Sequence, residues 1–249
     1  MSELSGLYAI WNREFKVFLR EKSRVIGSII QPLLWIVIFG TGLGASVSVE
    51  GLNYQVFIFP GILAMSTIFT SVFFGTYIVW DRKIDFLKEV LVAPISRTTI
   101  FTGKVLGGCT DALLQLVILL VLGVFLSIPL TVFSVLFSIP ILFFMTVGLV
   151  SLGLILGSMM SSFEGFNLIV SFLIFPIFFL SGALFPIDNL PSWLHVFTRI
   201  NPITYGVDAL RGIMLGTSQF PLILDLSVLL TFDIVFIILG TIAFKRMKL

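Results

Sequence analysis

The chain has 249 residues, of which 58% are hydrophobic and only 11% charged, and its mean hydropathy is +1.15. That balance excludes a water-soluble domain, and once the apolar stretches are set aside only short loops remain, too little for a separate catalytic domain. A formal net charge of +2 says little by itself and no nucleic-acid footprint is visible, and the lone Cys109 excludes an intrachain disulfide or a Cys-based metal site. Before the first apolar run, Leu4, Leu7, Tyr8, Trp11, Phe15, Phe18 and Leu19 recur at helical spacing. Glu14, Lys16, Arg20 and Glu21 fall largely on the opposite side. This pattern predicts an amphipathic helix, lying on a membrane surface or packed against a partner protein. The apolar run that follows has Arg13, Lys16, Arg20, Lys22 and Arg24 before it and no small-residue cleavage site after it, so it reads as a retained span.

Uncharged stretches of about 20 residues define the spans, because a bilayer core penalises each unpaired charge. They predict an all-α membrane domain over residues 1–249 with six spans near 25–46, 55–79, 104–127, 132–157, 165–186 and 221–244. The break between the third and fourth spans falls near Ser127, Pro129 and Thr131, and Pro176 kinks the fifth. Thirteen of the 15 Lys and Arg residues cluster before the first span, between the second and third, and after the sixth (Lys245, Arg246, Lys248). The positive-inside rule then places both termini in the cytoplasm, with Arg199 and Arg211 in a long outer loop.

Three regions stand out for function. Asp81, Arg82, Lys83, Ile84, Asp85, Phe86, Leu87, Lys88, Glu89 and Leu91 predict one short amphipathic cytoplasmic helix stopped near Pro94, exposing Phe86 and Val90. It is either a docking element for a soluble partner or a solvated, salt-bridged turn. On the outer side, Asp188, Asn189 and Trp193 precede Asn201 and Pro202, an N-cap and first-position proline that open a second helix. There Asp208 and Arg211 stand three apart, near enough to pair, and Tyr205 is a candidate interfacial anchor. The hairpin could close the mouth of a pathway or simply cap the bundle.

Asp111 and Asp233 interrupt hydrophobic spans, and an ionised Asp at mid-bilayer costs about 2.5–3.5 kcal/mol on insertion scales. Each is a pathway candidate; Asp111 could instead lie near the interface or pair with a base, and Asp233 could make a structural hydrogen bond. Glu164 and Asp225, near span ends, need no special role. Glycines four apart at Gly40 and Gly44, Gly103 and Gly107, and Gly153 and Gly157 favour close helix packing, within the chain or between chains. Gly103 and Lys104 match the end of a phosphate-binding loop, but Thr98 and Val105 replace its first glycine and its Ser or Thr, so the chain lacks that ATP site. His195 is a lone histidine, with no metal set or catalytic triad around it.

Three stretches together resemble the permease subunits of type-2 ATP-binding-cassette (ABC) transporters, and in particular the daunorubicin-resistance-like exporters. They are Asp81-Arg82 through Leu91, Pro94 and Arg97 to Gly103-Lys104; Phe185-Pro186 to Pro191-Trp193-Leu194; and Asn201-Pro202-Ile203-Thr204-Tyr205 with Asp208 and Arg211. The resemblance implies a six-helix permease that dimerises, with no catalytic residues or cofactor of its own, driven by a cytoplasmic ATPase subunit that holds ATP and Mg. It implies that Asp81 to Val92 is the coupling helix and that 158–164 forms a second, smaller contact. It also implies that the outer hairpin helps close the exit, and that a hydrophobic or amphipathic cargo (drug-like molecule, lipid or glycoconjugate) leaves the cell by alternating access. Asp111 and Asp233 lie outside the family motif, and a proton-coupled secondary transporter built on Asp233, with or without Asp111, is the competing expectation.

Overall fold

The computed structural model describes residues 2–44, 48–49, 51–126, 128–187 and 190–247. Ser127, Asp188, Asn189 and Lys248, which figure in the sequence reading, lie outside the described residues. Helix α1 (Glu3–Arg20) is followed directly by α2 (Lys22–Gly44). A two-stranded antiparallel hairpin, β1 (Ser48–Val49) and β2 (Leu52–Asn53), then turns through Gly51 at φ +77°. Asn53 caps the next helix by accepting from the Gln55 amide at 2.9 Å. The rest is helical: α3 (Tyr54–Phe73), α4 (Thr76–Lys83), α5 (Phe86–Val92), α6 (Arg97–Phe125), α7 (Val132–Met159), α8 (Phe163–Phe179), α9 (Ser192–Ile200), α10 (Pro202–Leu215) and α11 (Leu222–Arg246).

Helix α3 is the axle of the bundle. Phe57, Phe59, Ile62, Leu63 and Ile68 are fully buried among α2, α6, α7, α8 and α10. A helix apolar on all sides belongs at such a centre. By contrast α2 and α11 keep most of their apolar surface exposed (Ile38, Ile30, Ile223, Ile238), the face a helix offers to lipid.

Among the described residues five helices are long and apolar enough to cross a membrane: α2, α3 continued into α4, α6, α7 and α11. The expected fifth span, 165–186, is instead the 17-residue helix α8 ending at Phe179. Beyond it the chain turns through Gly182 at φ +72°. Pro176 does lie inside α8. The break after the third span falls where expected: α6 ends at Phe125, and Thr131 caps α7 in a reciprocal box with Ser134.

The glycine pairs are used inside the chain. A Cβ at Gly153 would stand 2.3 Å from the Val72 carbonyl oxygen, one at Gly157 2.2 Å from that of Gly75, and one at Gly75 1.9 Å from that of Gly153. Backbone touches backbone there, so α7 locks against the junction of α3 and α4. Gly103 and Gly107 let α1 lie against α6 at Ile10 and Glu14, and Gly40 and Gly44 seat Gln55 and Asn53. None of the three pairs is left as a bare face for a second chain.

Candidate coupling and transport site

At the basic end of the bundle, α1, α4 and α6 meet at a buried ionic cluster. Lys104 Nζ on α6 donates to Glu14 Oε1 and to Asp81 Oδ2, both at 2.8 Å. Arg13 donates to Asp81 Oδ1 at 2.5 Å and to Glu14 Oε1 at 2.8 Å. All but Arg13 are about 1% exposed. Two cations facing two carboxylates leave no net charge, which makes such burial tolerable. Burial by itself would lower the Arg13 pKa, but Glu14 and Asp81 overcome it and hold the guanidinium above its ordinary value. Sequence reasoning placed Glu14 on the polar, outward side of α1. The structure reverses this: Gly6, Ile10, Glu14 and Phe18 are the buried face, and Leu4, Tyr8 and Leu19 point outward.

The segment expected as one amphipathic helix is two. Helix α4 carries Asp81, Arg82 and Lys83 as the end of the second long helix, and the chain then breaks at Ile84 and Asp85, the latter in the left-handed region at φ +60°. Helix α5 starts at Phe86 and stops at Val92, two residues before Pro94. Its expected docking face is also redrawn. Phe86 lies under the Arg13 guanidinium, 4.1 Å from carbon to ring centroid, and Val90 lines a cleft against α1. Leu87 and Leu91 are buried, whereas Ile84 (53%) and Val92 (73%) are the exposed apolar residues. Lys83, Lys88 and Glu89 face solvent, with Lys88 paired to Asp85 at 2.7 Å. Arg82 is a clamp: its guanidinium donates to the carbonyls of Met160 and, at 2.7 Å, Ser158 beyond and within the end of α7. Glu3 ties α1 to the start of α6 by accepting from the Thr99 hydroxyl and from Ser96, and these bonds hold its carboxyl below its ordinary value of 4.5.

In the middle of the bundle, Asp111 on α6 and Asp233 on α11 are both buried. Both Asp111 oxygens and Asp233 Oδ1 have no hydrogen-bond partner among the described residues. Asp233 sits against Gly148 of α7, and Asp111 and Asp233 both lie within electrostatic reach of Cys109. Lys104, the base nearest Asp111 in sequence, is engaged by Glu14 and Asp81, and the cation near Asp111 is instead Arg24 of α2. Asp225, for which no role was expected, is likewise buried with both oxygens unpartnered.

At the opposite end, Asn201 caps α10 by accepting from the Ile203 amide at 3.1 Å, and its Nδ2 donates to the Ile177 carbonyl of α8 at 2.6 Å. Pro202 opens α10 as expected. Asp208 accepts from the Gln219 and Phe220 amides at 2.9 Å each, pinning the loop before α11. Arg211 donates to the Gly182 carbonyl at 2.7 Å and stacks 4.1 Å over the Phe57 ring. The two residues thus each hold a different loop. Tyr205 donates to the Arg199 carbonyl at 2.8 Å. Trp193 is 64% exposed on α9, beside Val196, Phe197 and Ile200, an apolar strip suited to an interface.

Sequence reasoning missed Arg13, Glu14 and Lys104 as one unit. Lys104 stands 90 positions from Glu14 and 23 from Asp81, and only the packing of α1 on α6 joins them. The available signal was a lysine embedded at the start of a long apolar run, which required a buried counter-charge.

The sequence profile described as "ABC-2 type transporter" matches residues 5–215. The chain is similar to the inner membrane transport permease YadH of Escherichia coli, 30% identical over 240 residues that cover 93% of this chain and 91% of that protein. It is 29% identical over 261 residues to the putative transport permease ycf38 of Cyanophora paradoxa, covering 98% and 89%. It is 28% identical over 242 residues to nodulation protein J of Rhizobium meliloti, covering 96% and 92%. A bundle of apolar helices, matched over most of its length by transport permeases, is a multi-pass protein of the cytoplasmic membrane. The chain belongs to the ABC-2 type transporter family as a membrane transport permease.

Proposed function

We propose that this permease is the membrane half of an ATP-driven exporter, with its basic end in the cytoplasm, a second permease beside it and a separate ATPase subunit holding ATP and Mg. The observation that carries the reading is the buried cluster of Arg13, Glu14, Asp81 and Lys104. It fastens the surface helix, the base of the second span and the start of the third span into one body, with Arg13 resting on Phe86 of α5. A push on α5 therefore passes to three helices together. Arg82 passes it to α7 as well.

The crossing count is six. An odd count would separate Lys245 and Arg246 from Lys83 across the bilayer, against the positive-inside rule. Helix α8 alone is about 26 Å long at 1.5 Å per residue, short of a core of about 30 Å, and the turn through Gly182 completes its crossing. ATP binding would bias an inward- to outward-open exchange by stabilising one state over the other. Cargo would move through the largely apolar space along α2 and α3, walled by α4 and α8 toward the basic end and by α6 deeper in, which suits a hydrophobic or amphipathic molecule.

Proteoliposomes holding the permease and its ATPase, loaded with a short-chain fluorescent phospholipid, test this. ATP-dependent movement is expected, and reversing the charges of Lys83, Asp85 and Lys88 together should abolish it while membrane insertion is kept, because all three are exposed. Movement unchanged by the triple reversal would remove the coupling assignment. The second reading rests on the unpartnered carboxyl oxygens of Asp111 and Asp233: a proton-driven exchanger. Movement driven by a pH gradient without ATPase, lost in Asp233→Asn, would favour it.

A further inference from the structure

Two cavities open side by side along α2 and share Arg24 and Phe73: one of about 390 Å³ between α2, α3 and α6, and one of about 410 Å³ between the start of α2, α4 and α8. The one farther from the basic end has an apolar wall of Pro32, Met65 and Phe69. Set into that wall are two hydrogen-bonding groups with no partner among the described residues, Gln115 Nε2 and Ser66 Oγ. Their residues are 0% and 3% exposed. Thr70 Oγ1 donates to Gln115 Oε1 at 3.0 Å, which fixes the amide with its donor end free. Ser66 stands four residues before Thr70, on the same face of α3. Both groups lie deep, since Gln115 is 11 residues along α6 from Lys104, about 16 Å at 1.5 Å per residue.

A buried donor left unmade costs about 1–3 kcal/mol, which Leu and Ala at these positions would avoid. We propose that the cavity recognises an amphiphile whose apolar part carries a neutral carbonyl oxygen, as in an ester, amide or ketone. That oxygen accepts from Gln115 Nε2 and Ser66 Oγ. A deep anion is disfavoured by its desolvation. The charges at the mouth select nothing, because Arg24 pairs with Glu21 at 3.5 Å, donates to the Tyr77 hydroxyl and has Asp111 nearby. The inference rests on the space between α2, α3 and α6 being part of the cargo path, and it names what the path selects.

The test uses the purified full-length permease without ATP or ATPase and two dyes. One is a dodecanoyl-dimethylaminonaphthalene ketone; the other is the same molecule with the ketone replaced by methylene. Energy transfer from tryptophan, with Trp80 lining the adjoining cavity, reports binding. The ketone should bind about fivefold to tenfold more tightly, the worth of one or two neutral hydrogen bonds. Gln115→Leu should erase the preference and Ser66→Ala should weaken it, and the second, which removes only a hydroxyl, carries the test if the first does not fold. Equal binding of both dyes to the unaltered permease, as expected if water alone fills the site, overturns the proposal. So does a preference that survives both substitutions. Because no nucleotide is present, a ketone preference without ATP-driven transport would count against the exporter reading alone. Transport without the preference would count against the site alone.

Discussion

Lys104 is a charge held in a place where its removal cannot be neutral. Without it, Glu14 and Asp81 share the single cation of Arg13 in a site closed to water, and breaking a buried pair costs about 3–5 kcal/mol. Lys104→Met should therefore lower the thermal midpoint of the purified permease markedly. Lys88→Met, which breaks a pair 62% and 72% exposed, should shift stability by no more than about 0.5 kcal/mol. Equal midpoints for the two variants would show that the cluster carries no such weight. Glu3 gives a pH signature. Its carboxyl lies below 4.5 because the folded chain donates hydrogen bonds to the ionised form. Its contribution is complete above the unfolded pKa and fades as pH falls through the lower folded value. A spin label at the exposed Ser5 should become more mobile as pH drops below 4.5, and Glu3→Gln should be mobile throughout. A label whose mobility ignores both changes would show that Glu3 does not hold α1. Asp81 and Lys104 could be singled out from the sequence because charges bordering an apolar run need an explanation. Their partners could not, because amphipathic periodicity assigns faces of a helix and does not say which face meets protein and which meets lipid. For α1 both faces carry apolar residues, and the small residues Gly6, Gly103 and Gly107 decided the side.

The junction of α3, α4 and α7 is the least forgiving part of the scaffold. With a carbonyl 2.3 Å from where its Cβ would stand, Gly153→Val must force α7 from α3, and the protein should elute as aggregate in fluorescence-detected size exclusion. Gly42→Ala has nothing within 4 Å and should be neutral or up to about 1 kcal/mol more stable, since Ala is the better helix former. Normal elution of Gly153→Val would contradict the close approach. The expected fifth span is the shorter α8, whereas five long apolar helices, the cap at Asn201 with Pro202 and the stop before Pro94 were readable from local chemistry. The split of residues 81–92 into α4 and α5 was not. Its cause is the left-handed Asp85, a conformation that an Asp tolerates and no periodicity announces. Nor could spacing show that Phe86 would be covered by an arginine 73 positions earlier in the chain.

At the scale of the molecule, three clusters of basic residues and one deep ionic knot lie toward the same end of the bundle. The opposite end is tied together by Asn201, which bonds a carbonyl in the last turn of α8, and by Arg211, which bonds the Gly182 carbonyl in the turn beyond it. Family membership fixes a transport permease, and the coupling role of α5 follows only if that basic end faces the ATPase. Labelling with a membrane-impermeant maleimide, after Cys109 is replaced by Ser, addresses this directly with single cysteines at Lys83 on α4 and at Ser218 between α10 and α11. In intact cells Ser218→Cys should react and Lys83→Cys should be protected, and in inverted vesicles the pattern should reverse. Reaction of Lys83→Cys in intact cells, or of both positions from one side, would contradict the account.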